Sequence, residues 1–301
     1  MSIVRRTAAV VVPLALVVGG VWYGIAHHSS SSKDDTAGLC TTKVKGLSVV
    51  LTATQARNAS LISAIAVHRG MPAHAATIAL AAALQESKLY NLRGGDRDTL
   101  GLFQQRPSQG WGTPAQILDP VHATNAFYDA LARVPGYADL PVTVAAQRVQ
   151  RSGYPSAYAV YEPDARALAS ALTGFSPAAF ACHLTASPGA RPPAARRAAA
   201  LRRTLAPAFG TVQVSVGAGS RLEIAAVSGP QGWSIASYIV GRAPRLGLTH
   251  VGFDGRDWVV GSNGGWTSGG SATAGSVVAR SREWFRARGH RAPSAIGAGH
   301  E

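Results

Sequence analysis

The chain has 301 residues, 47% hydrophobic and 15% charged, with 29 lysines and arginines against 15 aspartates and glutamates. That length allows two modest domains, each able to bury a core, and the low charged fraction excludes a charge-rich disordered chain. Two cysteines exclude zinc ribbons, Fe–S clusters and disulfide-dense scaffolds, while the net charge of +14 points to an acidic partner.

The basic excess is diffuse: residues 1–39 carry +1, 40–183 carry +4, 184–207 carry +5 without an acid, and 208–301 carry +4. No zinc-finger or RNA-recognition signature accompanies it, so no nucleic-acid partner is expected. Anionic membrane surface and anionic wall polymer remain as partner classes.

Thr7 to Ala26 is a 20-residue run without a charge, long enough to cross ~30 Å of hydrocarbon as a helix. Arg5 and Arg6 precede it and a polar run from His27 to Asp35 follows. This predicts a retained signal-anchor through the cytoplasmic membrane at residues 7–26, single-pass, with the bulk of the chain extracytoplasmic. A cleaved signal peptide is the competing reading. Cys40 and Cys182 stand at the two edges of the first predicted domain, in an oxidising compartment on that topology, which predicts one disulfide between them.

Leu61, Ile62, Ile65 and Ala66 have helical spacing that stops at Gly70, and Pro72 opens a second helix from Ala73 to about Gln85. Asn91 to Trp111 reads as an irregular loop. Asp119-Pro120 caps a third helix through Leu131, Pro141 opens a fourth through Gln150, and Pro163 to Leu172 belongs to a fifth. Ser187 to Pro207 reads as a linker with a short helix around Ala194 to Leu205. Strands are predicted at Thr211–Val216, Leu222–Val227, Thr249–Phe253 and Trp258–Val260, with a helix from Trp233 to Arg242. Ser281 to Arg288 reads as a basic helix. The expected organisation is 1–39 start, membrane segment and stalk; 40–183 first domain; 184–207 linker; 208–270 small α+β domain; 271–301 basic, partly disordered tail.

Gln85-Glu86-Ser87 closes an otherwise apolar helix. Burial and a helix C-terminus both disfavour an anion, so Glu86 is expected to hold its proton near neutral pH, as a general acid must. Fifteen residues on stands Gly101-Leu102-Phe103-Gln104-Gln105, a glycine for close approach followed by amides for hydrogen bonding. One protonated carboxylic acid beside an amide-rich groove is how a polysaccharide would be held and cleaved. The bland reading is an exposed glutamate at a helix end.

Glu86-Ser87 followed by Gly101-Leu102-x-Gln104 resembles the lysozyme-like superfamily, above all soluble lytic transglycosylases and goose-type lysozymes. About half the chain, Cys40 to Cys182, also resembles an exported actinobacterial family. The residues that carry this are Ala83-Leu84-Gln85-Glu86-Ser87-Lys88-Leu89, Gly95-Asp96-Arg97-Asp98, Gly101 through Gly112, and Val149-Gln150-Arg151-Ser152-Gly153. The resemblance implies a mainly-α lysozyme-like domain between the membrane helix and the small α+β domain. It makes Glu86 the catalytic acid and puts Ser87, Gln104 and Gln105 along the sugar sites. In the transglycosylase pattern an aromatic follows the acid by three residues, whereas Tyr90 follows by four. The Ala-Tyr-Asn-Ala-Gly segment whose tyrosine supports the acid has no direct counterpart; Gln147 or Gln150 is expected in its place.

The implied activity is cleavage of the β-1,4 bond between N-acetylmuramic acid and N-acetylglucosamine in peptidoglycan, without metal or cofactor. Two mechanisms stay open. Asp96 or Asp98 would serve as the second carboxylate of a hydrolase, unless loop arginines pair them off. A transglycosylase needs none, because the muramic C6 hydroxyl attacks instead, and this chemistry is favoured. The alternative of another class is a weak or inactive wall-binding scaffold, attached to anionic polymer by the Arg191–Arg203 stretch. The C-terminal tryptophans Trp233, Trp258 and Trp266 sit in a stretch similar to a small domain of other exported actinobacterial proteins. They are read as core, with a sugar-stacking surface as the alternative.

Overall fold

A hairpin opens the described chain. Strands β1 (Gly38–Val44) and β2 (Leu47–Thr52) pair antiparallel around Lys45-Gly46. Both turn residues have positive φ, as a two-residue hairpin turn requires. The computed structural model describes residues 38–185, 192–226, 229–262, 265–270, 272–273 and 275–281; the predicted membrane span at 7–26 lies outside them.

Thr52 ends β2 and caps helix α1 (Ala53–His68) through a reciprocal box with Gln55: its hydroxyl accepts from the Gln55 amide at 3.3 Å, and the Gln55 side chain accepts from the Thr52 amide at 2.9 Å. Helix α2 (Ala73–Ser87) is apolar almost all round and runs buried through the middle of this region. Around it lie α3 (Pro114–Ile117), α4 (Pro120–Ala132), α5 (Val142–Gln150), a 3-10 segment at Ala157–Tyr161 and α6 (Glu162–Leu172). Asp119 caps α4 as predicted, its Oδ1 accepting from the Val121 amide at 3.0 Å. Strand β3 (Phe180–Leu184) then returns to pair with β1, giving the order β2-β1-β3. That register sets Cys40 opposite Cys182, and the predicted disulfide joins them across 142 residues.

Helix α7 (Ala194–Phe209) occupies most of the stretch read as a linker. It contains the short helix expected around Ala194 to Leu205 and runs four residues further, with Ala198, Leu201, Leu205 and Ala208 on one buried stripe while Arg202 and Arg203 face out. Next come β4 (Val214–Val216), β5 (Leu222–Ala225), α8 (Gly229–Val240), β6 (His250–Phe253), β7 (Arg256–Val259), β8 (Thr267–Ser268) and β9 (Ser276–Arg280). The strands form an antiparallel sheet in the order β4-β5-β9-β6-β7-β8. β9, which sits in the middle of that sheet, comes from the stretch assigned to the tail; the predicted basic helix falls almost wholly outside the described residues.

The expected succession of transmembrane helix, mainly-α domain and small α+β domain is therefore corrected. The described chain is a mixed α/β fold with two sheets, and no helix among the described residues is long and apolar enough to cross a membrane. The β1–β3 sheet left no local signal because its strands flank the helices of residues 53–172 and pair across that whole stretch.

Residues 38–185 and 192–281 share one continuous core. Trp258 and Trp266 donate their indole N–H groups to the carbonyls of Cys182 and Phe180 at 2.9 and 2.8 Å. Ser234 bonds the Leu172 carbonyl at 2.7 Å, and Arg242 reaches Ser60 Oγ at 2.7 Å and the Arg57 carbonyl at 2.8 Å on α1. Gly174 permits the closest approach: a Cβ there would lie 1.9 Å from the Pro230 carbonyl oxygen.

Candidate active site

Glu86 lies in the last turn of α2, half-buried. The helix stops in two successive left-handed residues, Lys88 (φ 53) and Leu89 (φ 62), neither of them glycine. Their amides turn back to the carbonyls of Leu84 and Ala83 at 3.2 and 3.1 Å. Two side chains on α1 satisfy the carbonyls this turn leaves over: Gln55 donates to Lys88 O at 2.9 Å and Asn58 to Leu89 O at 2.7 Å. Such a turn is strained for branched or long side chains, and it is held by its surroundings beside the half-buried Glu86.

The loop after the turn is tied to the same helix end. Leu92 pairs with Gly101 and Leu100 with Gln105, making a small irregular hairpin. Gly101 has φ +78, and a Cβ there would lie 2.7 Å from the Ile117 carbonyl oxygen. Ser87 Oγ donates 2.7 Å to the Leu102 carbonyl and lies 3.1 Å from the Ala83 carbonyl, so this buried hydroxyl joins helix end to loop. Phe103 stacks on Phe127 at 4.6 Å and pins the loop to α4.

Two donors reach the Glu86 carboxyl. Tyr158, from the 3-10 segment, donates to Oε1 at 2.8 Å, and the Gln150 side chain at the end of α5 forms a second hydrogen bond. Gln150 Nε2 also donates to the Phe103 carbonyl at 2.8 Å, which couples the acid's support to the loop. Loss of solvation raises the Glu86 pKa above its ordinary value; the bonds from Tyr158 and Gln150 and the charge of Lys88 only partly offset this. The Tyr158 phenol is itself raised, by burial first and then by the neighbouring carboxyl, so it stays a donor. Glu86 therefore carries its proton further toward neutral pH than a solvated glutamate, and the carboxylate left after proton transfer would meet two donors already in place.

The other predicted residues are arranged differently. Gln104 donates to the Gly101 carbonyl at 3.1 Å and accepts from Thr99 Oγ1 at 2.9 Å, both within its own loop. Gln105 is buried, bonding the Ala123 carbonyl at 3.2 Å, and Gln147 bonds the Ser152 carbonyl at 2.7 Å. Ser87, Gln104, Gln105 and Gln147 thus hold backbone carbonyls, and Gln150 is the amide brought to the acid. Asp98 is gripped by Arg106 Nε at 2.7 Å and by the Ser108 amide at 2.9 Å, which hold its carboxyl far below the usual range. Asp96 is 91% exposed with Arg97 at 3.8 Å. The Lys88 ammonium is the charged neighbour that lowers the Glu86 pKa, less than burial raises it.

Tyr158 was not among the sequence-predicted residues. Its signal was Tyr158 and Tyr161 three apart ahead of Glu162-Pro163, which a motif search centred on Gln147 and Gln150 passes over. The tryptophans are core: Trp233 and Trp258 are buried, and Trp266 packs edge-on against Trp233 at 5.1 Å. A cleft of about 620 Å3 lies elsewhere, between α7 and the β4 edge, lined by Arg202, Gln213, Glu223 and Ser276 among others. The one carboxylate among its lining residues, Glu223, is already paired with Arg221. Among the described residues no cluster of metal-ligating side chains occurs. Compared with protein-family models and with curated proteins, the chain shows no significant match to either.

Proposed function

We propose that residues 38–185 cleave peptidoglycan glycan strands, with Glu86 protonating the glycosidic oxygen between N-acetylmuramic acid and N-acetylglucosamine. The observation that carries this is the half-buried Glu86 carboxyl with a raised pKa, met by Tyr158 at 2.8 Å and by Gln150. Desolvation loads the proton before the reaction. The two donors stabilise the carboxylate as the glycosidic bond breaks and positive charge grows at the anomeric carbon. Tyr158 on the Glu86 carboxyl supports this reading over an inactive scaffold.

A transglycosylase step fits better than water-activated hydrolysis. An inverting hydrolase uses a second carboxylate ~6.5–9.5 Å from the acid to activate water. Asp98 is committed to Arg106 and Ser108, and Asp96 stands in solvent. The muramic C6 hydroxyl then attacks the anomeric carbon, its proton leaves to the Glu86 carboxylate, and a 1,6-anhydro end results. The disulfide fits an oxidising, extracytoplasmic setting, and the net charge of +14 fits an anionic wall.

Glu86→Gln should lower muropeptide release from purified sacculi ~10²–10⁴-fold. Mass spectrometry of the wild-type products should show 1,6-anhydro ends; reducing ends would select hydrolysis. Equal release by the mutant would remove Glu86 from the mechanism, and sacculus binding without any release would favour a scaffold.

A further inference from the structure

Lys88 is unused by the reaction just described, and its setting is unusual. It ends α2 in the left-handed conformation at φ 53, a position where glycine is the common residue and a side chain is strained. It is exposed, its Nζ is held by Tyr161 Oη, and the ammonium lies 4.2 Å from the centroid of the Tyr161 ring. Hydrogen bond and cation–π contact together hold a flexible lysine in one place. Among the described residues no carboxylate forms an ion pair with it.

Tyr158 and Tyr161 are three residues apart in one 3-10 segment, and at ~3 residues per turn they stand on the same edge of it. The first grips the Glu86 carboxyl and the second the Lys88 ammonium. One short element thus holds both an acid and a cation from the end of one helix, with the cation exposed to solvent.

We propose that Lys88, held on Tyr161, recognises a carboxylate of the glycan strand next to the bond that Glu86 protonates. This rests on the glycan-cleavage reading and adds the substrate class: strands bearing acidic groups, such as the lactyl carboxylate of muramic acid, over neutral ones. Pairing with that carboxylate would also neutralise the charge that draws the proton off Glu86, so the correct substrate would help to keep the acid loaded.

The test uses the full chain and two preparations of one glycan: strands freed of stem peptide, with lactyl carboxylates exposed, and the same strands with those carboxylates coupled to methylamine. Wild type should favour the acidic strands about tenfold in kcat/KM, the order expected of one charge-assisted contact. Lys88→Met should bring the ratio close to one by losing rate on acidic strands alone, while Lys88→Arg keeps most of the preference. Equal wild-type rates on both strands, or a preference that survives in Lys88→Met, would overturn the assignment. An equal loss on both would show Lys88 to be an anchor for the 3-10 segment only. Calorimetric titration of the two strands into wild type and Lys88→Met reads the same preference without turnover. A chain that cleaves neither strand yet binds acidic strands through Lys88 would overturn the glycan-cleavage reading and keep the carboxylate site.

Discussion

The two regions that share the core treat their buried polar groups differently. In residues 192–281, Arg242 is half-buried with its guanidinium on Ser60 Oγ, the Arg57 and Tyr238 carbonyls and the face of the Tyr238 ring at 3.4 Å. His250 lies 3.1 Å from Asp257, and the tryptophan N–H groups end on backbone carbonyls. Each of these contacts joins one element to another, and several reach across to residues 38–185. Around Glu86 the polar groups instead converge on a single carboxyl whose desolvation they only partly offset. A group left in that state lowers stability when ionised, and it persists where the strain serves a reaction. The contrast separates a region that braces from the region in which we propose catalysis.

The largest effect expected is on bracing. Replacing Cys40 and Cys182 by alanine opens a loop of 142 residues and should cost about 2–5 kcal/mol, seen as a lowered denaturation midpoint at unchanged slope. A midpoint equal to wild type would mean that the β1–β3 pairing is held by other contacts alone. Gly174→Ala places a methyl against Pro230 at a backbone with φ +88, and should cost ~1–3 kcal/mol by prising α8 from the end of α6. If the two regions brace each other, both should melt in one transition in wild type and separate in this variant.

Smaller effects fall on the proposed catalytic region. Tyr158→Phe keeps the ring and removes one donor, so kcat should fall ~10–100-fold, or about 1.4–2.7 kcal/mol of barrier. Because the lost bond favours the carboxylate, the Glu86 pKa should rise further and the alkaline limb of the rate profile should move to higher pH. A limb that moves to lower pH would show Tyr158 supporting the protonated acid instead.

Glu86→Gln should melt at or above wild type near neutral pH, although it is the most damaging change for turnover. The native state binds this proton more tightly than the unfolded chain, so wild-type stability falls as pH rises from the ordinary carboxyl range through the raised native pKa. The glutamine variant lacks that decline, and the gap between the two should widen across the same pH window. A lower melting temperature at every pH would make Glu86 a structural residue. Asp98→Asn should change the rate by less than about twofold, since an exposed pair such as Asp98 with Arg106 contributes little. A loss of the size expected for Glu86→Gln would restore the second carboxylate and with it a hydrolase.

Much of this was legible in local pattern. The helix starts at Pro72, Asp119 and Pro141 follow from capping and first-turn rules that act within four residues. The acid at the end of an apolar helix was equally visible, because burial and helix polarity both bear on a residue through its near sequence. Two cysteines with no others left one intramolecular connectivity. What stayed hidden were the contacts that cross long stretches of chain: β1 with β3, the docking of Arg242 on α1, and Tyr158 on Glu86, which are 72 residues apart.

The amino-acid sequence by itself determined the longer helices between residues 53 and 172, strands within 211–216, 222–227, 249–253 and 258–260, the disulfide partners and the position of the acid, since period and caps are properties of neighbouring residues and two cysteines allow one pairing. Only the tertiary structure decided that two sheets and one core join the regions, that the predicted sugar-binding amides hold carbonyls, and that tyrosines three apart receive an acid and a lysine from another helix. Those outcomes depend on which distant surfaces meet once apolar side chains are buried, and no period in the chain records that meeting.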